Sequence, residues 1–209
     1  RKFQKESTSQ VDYLWAEKTK MYFLDLAYNN FVKSKNEGIK RKYKTFRDKE
    51  KYWLNDFAIF VQLKRIFNGK TWNHWSKELR ERDEQALAEI VETYNNEIER
   101  ICFGQFIFDQ HWKEIKQYAN DKGIDIIGDI PIYIDYESAD VWANPELFKL
   151  KKDKSMGAVA GVPPDYFNEN GQLWGMPLYH WENMRKNKYG WWINRLAKNL
   201  EWFDLLRLD

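Results

Sequence analysis

At 209 residues, with 43% hydrophobic and 32% charged side chains, the chain is long enough to bury a sizeable core and reads as a globular protein of one or two domains. A net charge of +2 gives no argument for a nucleic-acid or membrane partner. The one cysteine, Cys102, excludes a disulfide or a cysteine metal cluster within the chain and fits a reducing compartment.

The opening Arg1-Lys2-Phe3-Gln4-Lys5-Glu6 is polar, unlike a signal peptide, and no stretch approaches a membrane span. The lack of an initiator Met points to a fragment or a processed chain. Residues 1–10 read as loose. Asp12 is placed to cap a helix running through Leu14, Trp15, Met21, Tyr22, Leu24 and Ala27 toward Phe31. Residues 33–47 are basic and loop-like, a solvated stretch. A second helix is expected from Asp48 to Phe67, with Trp53, Leu54, Phe57, Ala58, Phe60, Val61 and Leu63 crowding one side and Asn68-Gly69 ending it. Trp72-Asn73-His74-Trp75 reads as a compact loop, with His74 structural rather than a ligand. From about Asp83 a helical pattern runs to Tyr118, long enough for two helices with a break near Gly104.

Gly123 then offers a helix C-cap. Ile124 to Ile127 is a nearly continuous apolar run, the pattern of a strand buried on both faces in a parallel sheet, with Asp129 at its far end. In α/β folds chemistry collects at that end of a strand. Position alone weighs equally between a functional carboxylate and a turn residue. Pro131 cannot donate to a ladder, so pairing should stop near it. Residues 138–146 read as a turn and a short helical piece, and 149–155 as a charged loop tip. Residues 157–175 read as a long irregular loop carrying Tyr166, Phe167 and Trp174, either a binding loop or a cover over the core. Helical periodicity resumes from Tyr189 to Leu200. Phe203-Asp204-Leu205-Leu206-Arg207-Leu208-Asp209 reads as another buried strand. Strand, helix, strand is a crossover, so the two strands should be parallel.

Arg207 and Asp209 are two apart on a strand and so point to one side. An Arg beside a carboxylate favours its ionised form, which a glycosidic nucleophile requires. A structural ion pair would carry the same pattern. The 11 Trp residues permit a carbohydrate ligand, since broad aromatic faces stack on sugars, though most Trp is core.

Several long motifs, in order, resemble the amylomaltase family of 4-α-glucanotransferases. They are Gly128-Asp129-Ile130-Pro131-Ile132-Tyr133, Ser138-Ala139-Asp140-Val141-Trp142-Ala143, Ala160-Gly161-Val162-Pro163-Pro164-Asp165-Tyr166-Phe167, Gly171-Gln172-Leu173-Trp174-Gly175, Pro177-Leu178-Tyr179 and the ending Phe203 to Asp209. Trp53-Leu54-Asn55-Asp56-Phe57-Ala58, Trp72-Asn73-His74-Trp75 and Gln110-His111-Trp112 are similar too.

The resemblance implies an α/β fold, a partial TIM (β/α)8 barrel with helical insertion subdomains. Residues 1–47 would be an N-terminal helix and basic connection, 48–122 a helical subdomain, and 123–209 barrel strands with glucan-binding loops. It implies transfer of α-1,4-glucan segments between maltooligosaccharides, with retention, in the cytoplasm and without metal or organic cofactor. By the same resemblance Asp209 is the nucleophile and Arg207 orients it. Asp129 touches the sugar at the cleavage point, Asp165, Tyr166 and Phe167 form a loop on the acceptor side, and Trp174 lines the groove. The family's acid/base carboxyl would lie beyond Asp209, so the chain as given is expected to be inactive without the C-terminal half of the barrel. Two other readings are a non-catalytic glucan-binding module and a hydrolase of the α-amylase superfamily.

Overall fold

The computed structural model describes residues 10–209, and the polar stretch 1–9 lies outside them. Helix α1 spans Tyr13–Lys33 and begins as its sequence dictates, with the Asp12 carboxylate accepting from the Trp15 N–H at 2.9 Å. Helix α2, Glu37–Ile66, starts well before Asp48. The basic stretch is therefore not a loop beyond residue 36. Asn36 caps it by accepting from the N–H groups of Gly38 and Ile39. Lys, Arg and Glu are good helix formers. Ile39, Tyr43 and Phe46 recur at helical spacing and turn toward the core, so the charges simply occupy the other face. At its far end Asn68 and Gly69 both adopt positive φ, and the Gly69 N–H closes onto the Lys64 carbonyl at 2.7 Å.

A 3₁₀ turn, Trp72–His74, leads to the short α3, Lys77–Arg80. Trp72 and Trp75 are both buried, and His74 shares a hydrogen bond with Thr71, a structural use. Next come α4, Glu84–Thr93, and α5, Asn95–Asn120. The break falls at Tyr94, whose φ and ψ of −113° and 27° leave the helical region, and not at Gly104. A lone glycine weakens a helix without offering the chain another path, so α5 runs through it.

α2 and α5 form the heart of the core. Leu54, Ala58 and Leu63 from α2 and Cys102, Phe103 and Phe106 from α5 are buried in one cluster, where the rings of Phe31 and Tyr43 pack against Phe103 and Phe106. Trp142 and Trp72 are fully enclosed, and their indoles donate to the carbonyls of Leu79 and Tyr136. Several of the tryptophans are thus structural, each with its polar edge satisfied.

Strand β1 spans Ile127–Ile130 and ends the expectation of a strand from Ile124. The Ile124 N–H turns back to the Ala119 carbonyl, so Ile124 belongs to the cap of α5, with Gly123 at φ 72°. Burial of β1 is one-sided. Gly128 and Ile130 are buried, whereas Ile127 is 67% exposed. A Cβ on Gly128 would lie 2.3 Å from the Phe203 ring, which fills the space on that face.

After β1 come α6, Ala139–Ala143, capped by Ser138, then β2, Val159–Val162, and β3, Gln172–Pro177. Residues 157–175 are therefore not irregular throughout: β2 and β3 pair as an antiparallel hairpin, and the irregular part is the connection 163–171. Gly161 permits its close approach, since a Cβ there would meet the Gln172 carbonyl oxygen at 2.2 Å. Pro163 and Pro164 cannot donate, so pairing stops at Val162. Helix α7, Trp181–Lys186, and helix α8, Gly190–Trp202, lead into β4, Leu205–Leu208. β4 pairs with β1 in parallel, as the crossover rule requires.

Where α2, α5 and α8 meet, Lys198 lies 2.7 Å from Glu50 and 3.6 Å from Asp109, with Glu201 at 3.4 Å. Trp53 and Trp202 donate to Glu50 and Asp109, and all three central charges are buried. No described helix is long and apolar enough to cross a membrane.

Candidate active site

β1 and β4 bring three charged side chains together at their C-terminal ends. Asp129 and Arg207 are register partners across the parallel pair. Arg207 forks onto Asp129, with Nε donating to Oδ1 at 2.9 Å and Nη2 to Oδ2. The same Nη2 lies 3.5 Å from Oδ2 of Asp209. Alternation along β4 places Arg207 and Asp209 on one side, as their spacing predicts, but the stronger partner of Arg207 is Asp129. Hydrogen bonding and charge from Asp129, with Asp209 adding, hold the guanidinium above its ordinary pKa. All three side chains are more than half exposed, so the cluster faces solvent.

The backbone around Asp209 is fixed from β1. Its N–H donates to the Ile130 carbonyl at 2.9 Å, and its own carbonyl accepts from the Ile132 N–H at 2.6 Å. The bend 131–133 is held in turn by side chains from further along. Tyr179 donates its hydroxyl to the Ile132 carbonyl at 2.6 Å, and Arg195 donates to the Pro131 carbonyl at 2.9 Å. Burial pushes the Tyr179 hydroxyl above its usual pKa, with nearby Arg195 opposing. Tyr133 stacks on Tyr179, with ring centroids 5.9 Å apart, and its other neighbour is the Trp174 ring at 6.0 Å. Sequence reading missed Tyr133 and Tyr179 as supports. Both stood inside the quoted motifs, and the surviving signal was a Tyr two residues after a Pro at the end of each strand, Pro131-Ile132-Tyr133 and Pro177-Leu178-Tyr179.

The tip of the β2–β3 hairpin is built from local hydrogen bonds. The Asp165 carboxylate accepts from the N–H groups of Phe167 and Asn168, and Asn168 receives Gly171 at its carbonyl. This turn projects Tyr166 and Phe167, which are 96% and 91% exposed and touch only edge to face at 5.6 Å. They are not a cover over the core. Trp174 is 41% exposed, its indole held by Gln172 at 3.0 Å. Aromatic faces presented to water in this way suit the apolar faces of a sugar. A solvent-facing carboxylate aligned by a guanidinium suits attack on an electrophilic carbon.

The described residues contain no group of three or more His, Cys, Asp or Glu arranged to hold a metal ion.

Against known proteins, the family model described as 4-alpha-glucanotransferase matches residues 1–209. The 4-alpha-glucanotransferase of Aquifex aeolicus is 42% identical over 191 residues, covering 87% of this chain and 39% of the relative. That of Thermus thermophilus is 40% identical over 200 residues, covering 96% of this chain and 40% of the relative. Among solved structures, an amylomaltase from Streptococcus agalactiae in complex with acarbose superposes with a TM-score of 0.88 at 40% identity, covering 95% of this chain and 40% of that one. The chain thus spans about two fifths of the length of these relatives. A model match along the whole sequence, carried by a fold that superposes closely, makes this chain a member of the 4-alpha-glucanotransferase family.

Proposed function

We propose that this chain carries the nucleophile side of a retaining 4-α-glucanotransferase acting on maltooligosaccharides, and that β1 and β4 are neighbouring strands of a (β/α)8 barrel. Helix α2 runs unbroken across residues 47 and 48, so the helices α1 to α5 together would supply the helical insertions and 123–209 the barrel strands, in a cytoplasmic enzyme. The observation that carries the reading is the Asp129–Arg207–Asp209 cluster at the C-terminal ends of two parallel strands. Active sites of such barrels sit at that end. The acarbose complex of the Streptococcus agalactiae amylomaltase supports a glucan ligand.

In this reading an Asp209 oxygen attacks the anomeric carbon and forms a glycosyl ester. The scissile C–O bond breaks, and the leaving oxygen takes a proton from a general acid. A hydroxyl of a second oligosaccharide then attacks the same carbon, displaces the Asp209 carboxylate as the ester bond breaks, and returns its proton to that group. Two inversions give net retention. Arg207 orients Asp209. Both oxygens of Asp129 already accept from Arg207, so Asp129 is poorly suited to donate a proton and serves as a contact to the sugar. The acid/base group would be a further carboxyl about 5 Å from the nucleophile. Trp174 would line the groove, and Asp165, Tyr166 and Phe167 the acceptor side.

The test is product analysis. A chain of the relatives' length containing these residues, given maltotriose, should yield glucose together with a ladder of longer oligosaccharides. Products that are only shorter would make it a hydrolase, and unaltered maltotriose with retained binding would make it a non-catalytic module. Either result overturns the reading.

A further inference from the structure

A hollow of about 460 Å3 lies between α2, α6 and α8, and none of Asp129, Arg207 and Asp209 lines it. Its size falls within the range of small-molecule sites, about 300–1,000 Å3. One motif absorbed by no catalytic role opens onto it. In Ser138-Ala139-Asp140-Val141-Trp142-Ala143, the side chains of Val141 and Trp142 are core, while Ala139, Asp140 and Ala143 face the hollow.

The wall chemistry is that of a sugar site. Trp53 from α2 and Trp191 from α8 supply aromatic surface. The Trp191 indole donates to Oδ1 of Asp140 at 3.0 Å, fixing ring and carboxylate side by side. The other Asp140 oxygen has no donor among the described residues, which leaves it for a ligand hydroxyl. Asn194 adds an exposed amide that can both donate and accept. Two of the wall charges are answered by ion pairs, and Arg195 donates to the Pro131 carbonyl. Asp56 is paired with Arg82 at 2.6 Å and Lys198 with Glu50 at 2.7 Å. Aromatic faces beside a carboxylate and an amide suit a polyhydroxylated ligand, whose apolar faces stack and whose hydroxyls both donate and accept.

We propose that this hollow binds a short neutral oligosaccharide, of the α-glucan class consumed by the proposed transfer, at a site separate from the reacting carboxylates. The choice of glucan rests on that proposed function. A second contact of this kind would hold a longer glucan on the protein between transfers.

The experiment is a maltotriose titration of the 15N-labelled chain, read at its 11 tryptophan indole N–H signals. The expected result is a saturable shift of the Trp191 signal that persists in Trp174→Ala. Its affinity should fall at least tenfold in Asp140→Ala. It should fall as far in Asn194→Trp, which fills the hollow from an exposed position and leaves the core alone. A Trp191 shift surviving both variants overturns the proposal. Shifts confined to Trp174 overturn this site and leave the glucan reading standing, whereas silence at both tryptophans counts against both.

Discussion

The Tyr179 hydroxyl donates to the Ile132 carbonyl at 2.6 Å, and the N–H of that same Ile132 donates to the Asp209 carbonyl at 2.6 Å. A buried phenol from beyond the hairpin thereby fixes the backbone of the residue proposed to attack the sugar. Tyr179→Phe keeps the ring stack on Tyr133 but leaves the Ile132 carbonyl without that donor. Loss of a donor to a buried acceptor costs about 1–3 kcal/mol. Urea unfolding should show a loss in that range, with a change in Trp174 emission through Tyr133. A loss below about 0.5 kcal/mol, within the scatter of surface substitutions, would mean that water replaces the hydroxyl.

Lys198 is the counter-charge of two buried carboxylates, Glu50 and Asp109. Removing one partner of a buried pair is far more costly than exchanging the whole pair for apolar groups. Lys198→Met should destabilise the chain by about 3–5 kcal/mol. The triple change Lys198→Met, Glu50→Leu, Asp109→Leu should recover much of that loss. Thermal and urea melts of the two variants make the comparison.

The same junction sets an acid response. Burial alone would raise the Asp109 carboxyl, but Lys113, Lys198 and the Trp202 indole hold it below its ordinary value. Glu201 is likewise held down against burial, by Lys49 and Lys198. A depressed native pKa means that the unfolded chain takes up protons first on acidification. The stability from these groups is therefore complete above the unfolded values, about 3.9 and 4.3, and is lost as pH falls through the lower native ones. Lys113 and Lys49 remain in Lys198→Met, so its stability should fall less steeply below pH 4.3 than that of the parent, without becoming flat. Equal slopes would place the acid response elsewhere.

Asp209→Asn, in a chain of the relatives' length, should lower transfer by several orders of magnitude while maltotriose binding is nearly unchanged, because the amide cannot form the glycosyl ester. A purified variant with a tenth of the parent rate would remove Asp209 from that role. Residues 1–209 alone should give no transfer products. Asp129 is occupied by Arg207, and lack of a general acid is worth about 10²–10⁴ in rate. Turnover near the rate of full-length relatives would show that these residues contain their own acid.

Tyr166 and Phe167 contribute exposed surface and little packing. Their double replacement by Ala should change stability by less than about 0.5 kcal/mol. The choice of acceptor oligosaccharide should change, read as an altered product distribution. An unaltered distribution would remove the tip from the acceptor side.

The sequence by itself determined the features that depend on near neighbours. Asp12 capping, the Asn68-Gly69 stop, the apolar faces of α2 and α5 and the parallel crossover were all readable, because caps and helical periods act within a few residues. The exposure of Tyr166 and Phe167 was half-readable, as one of two roles for an aromatic turn. Tertiary structure decided the rest. Arg207 reaches Asp129, 78 residues away, only because strand register sets them opposite each other. Gly161 opposes Leu173, and Lys198 meets Glu50 across 148 residues, because distant segments pack together. Local patterns state what each segment prefers to be. Which charges become partners, and which carboxylate is left facing solvent, is settled only when strands and helices from distant parts of the chain share one core.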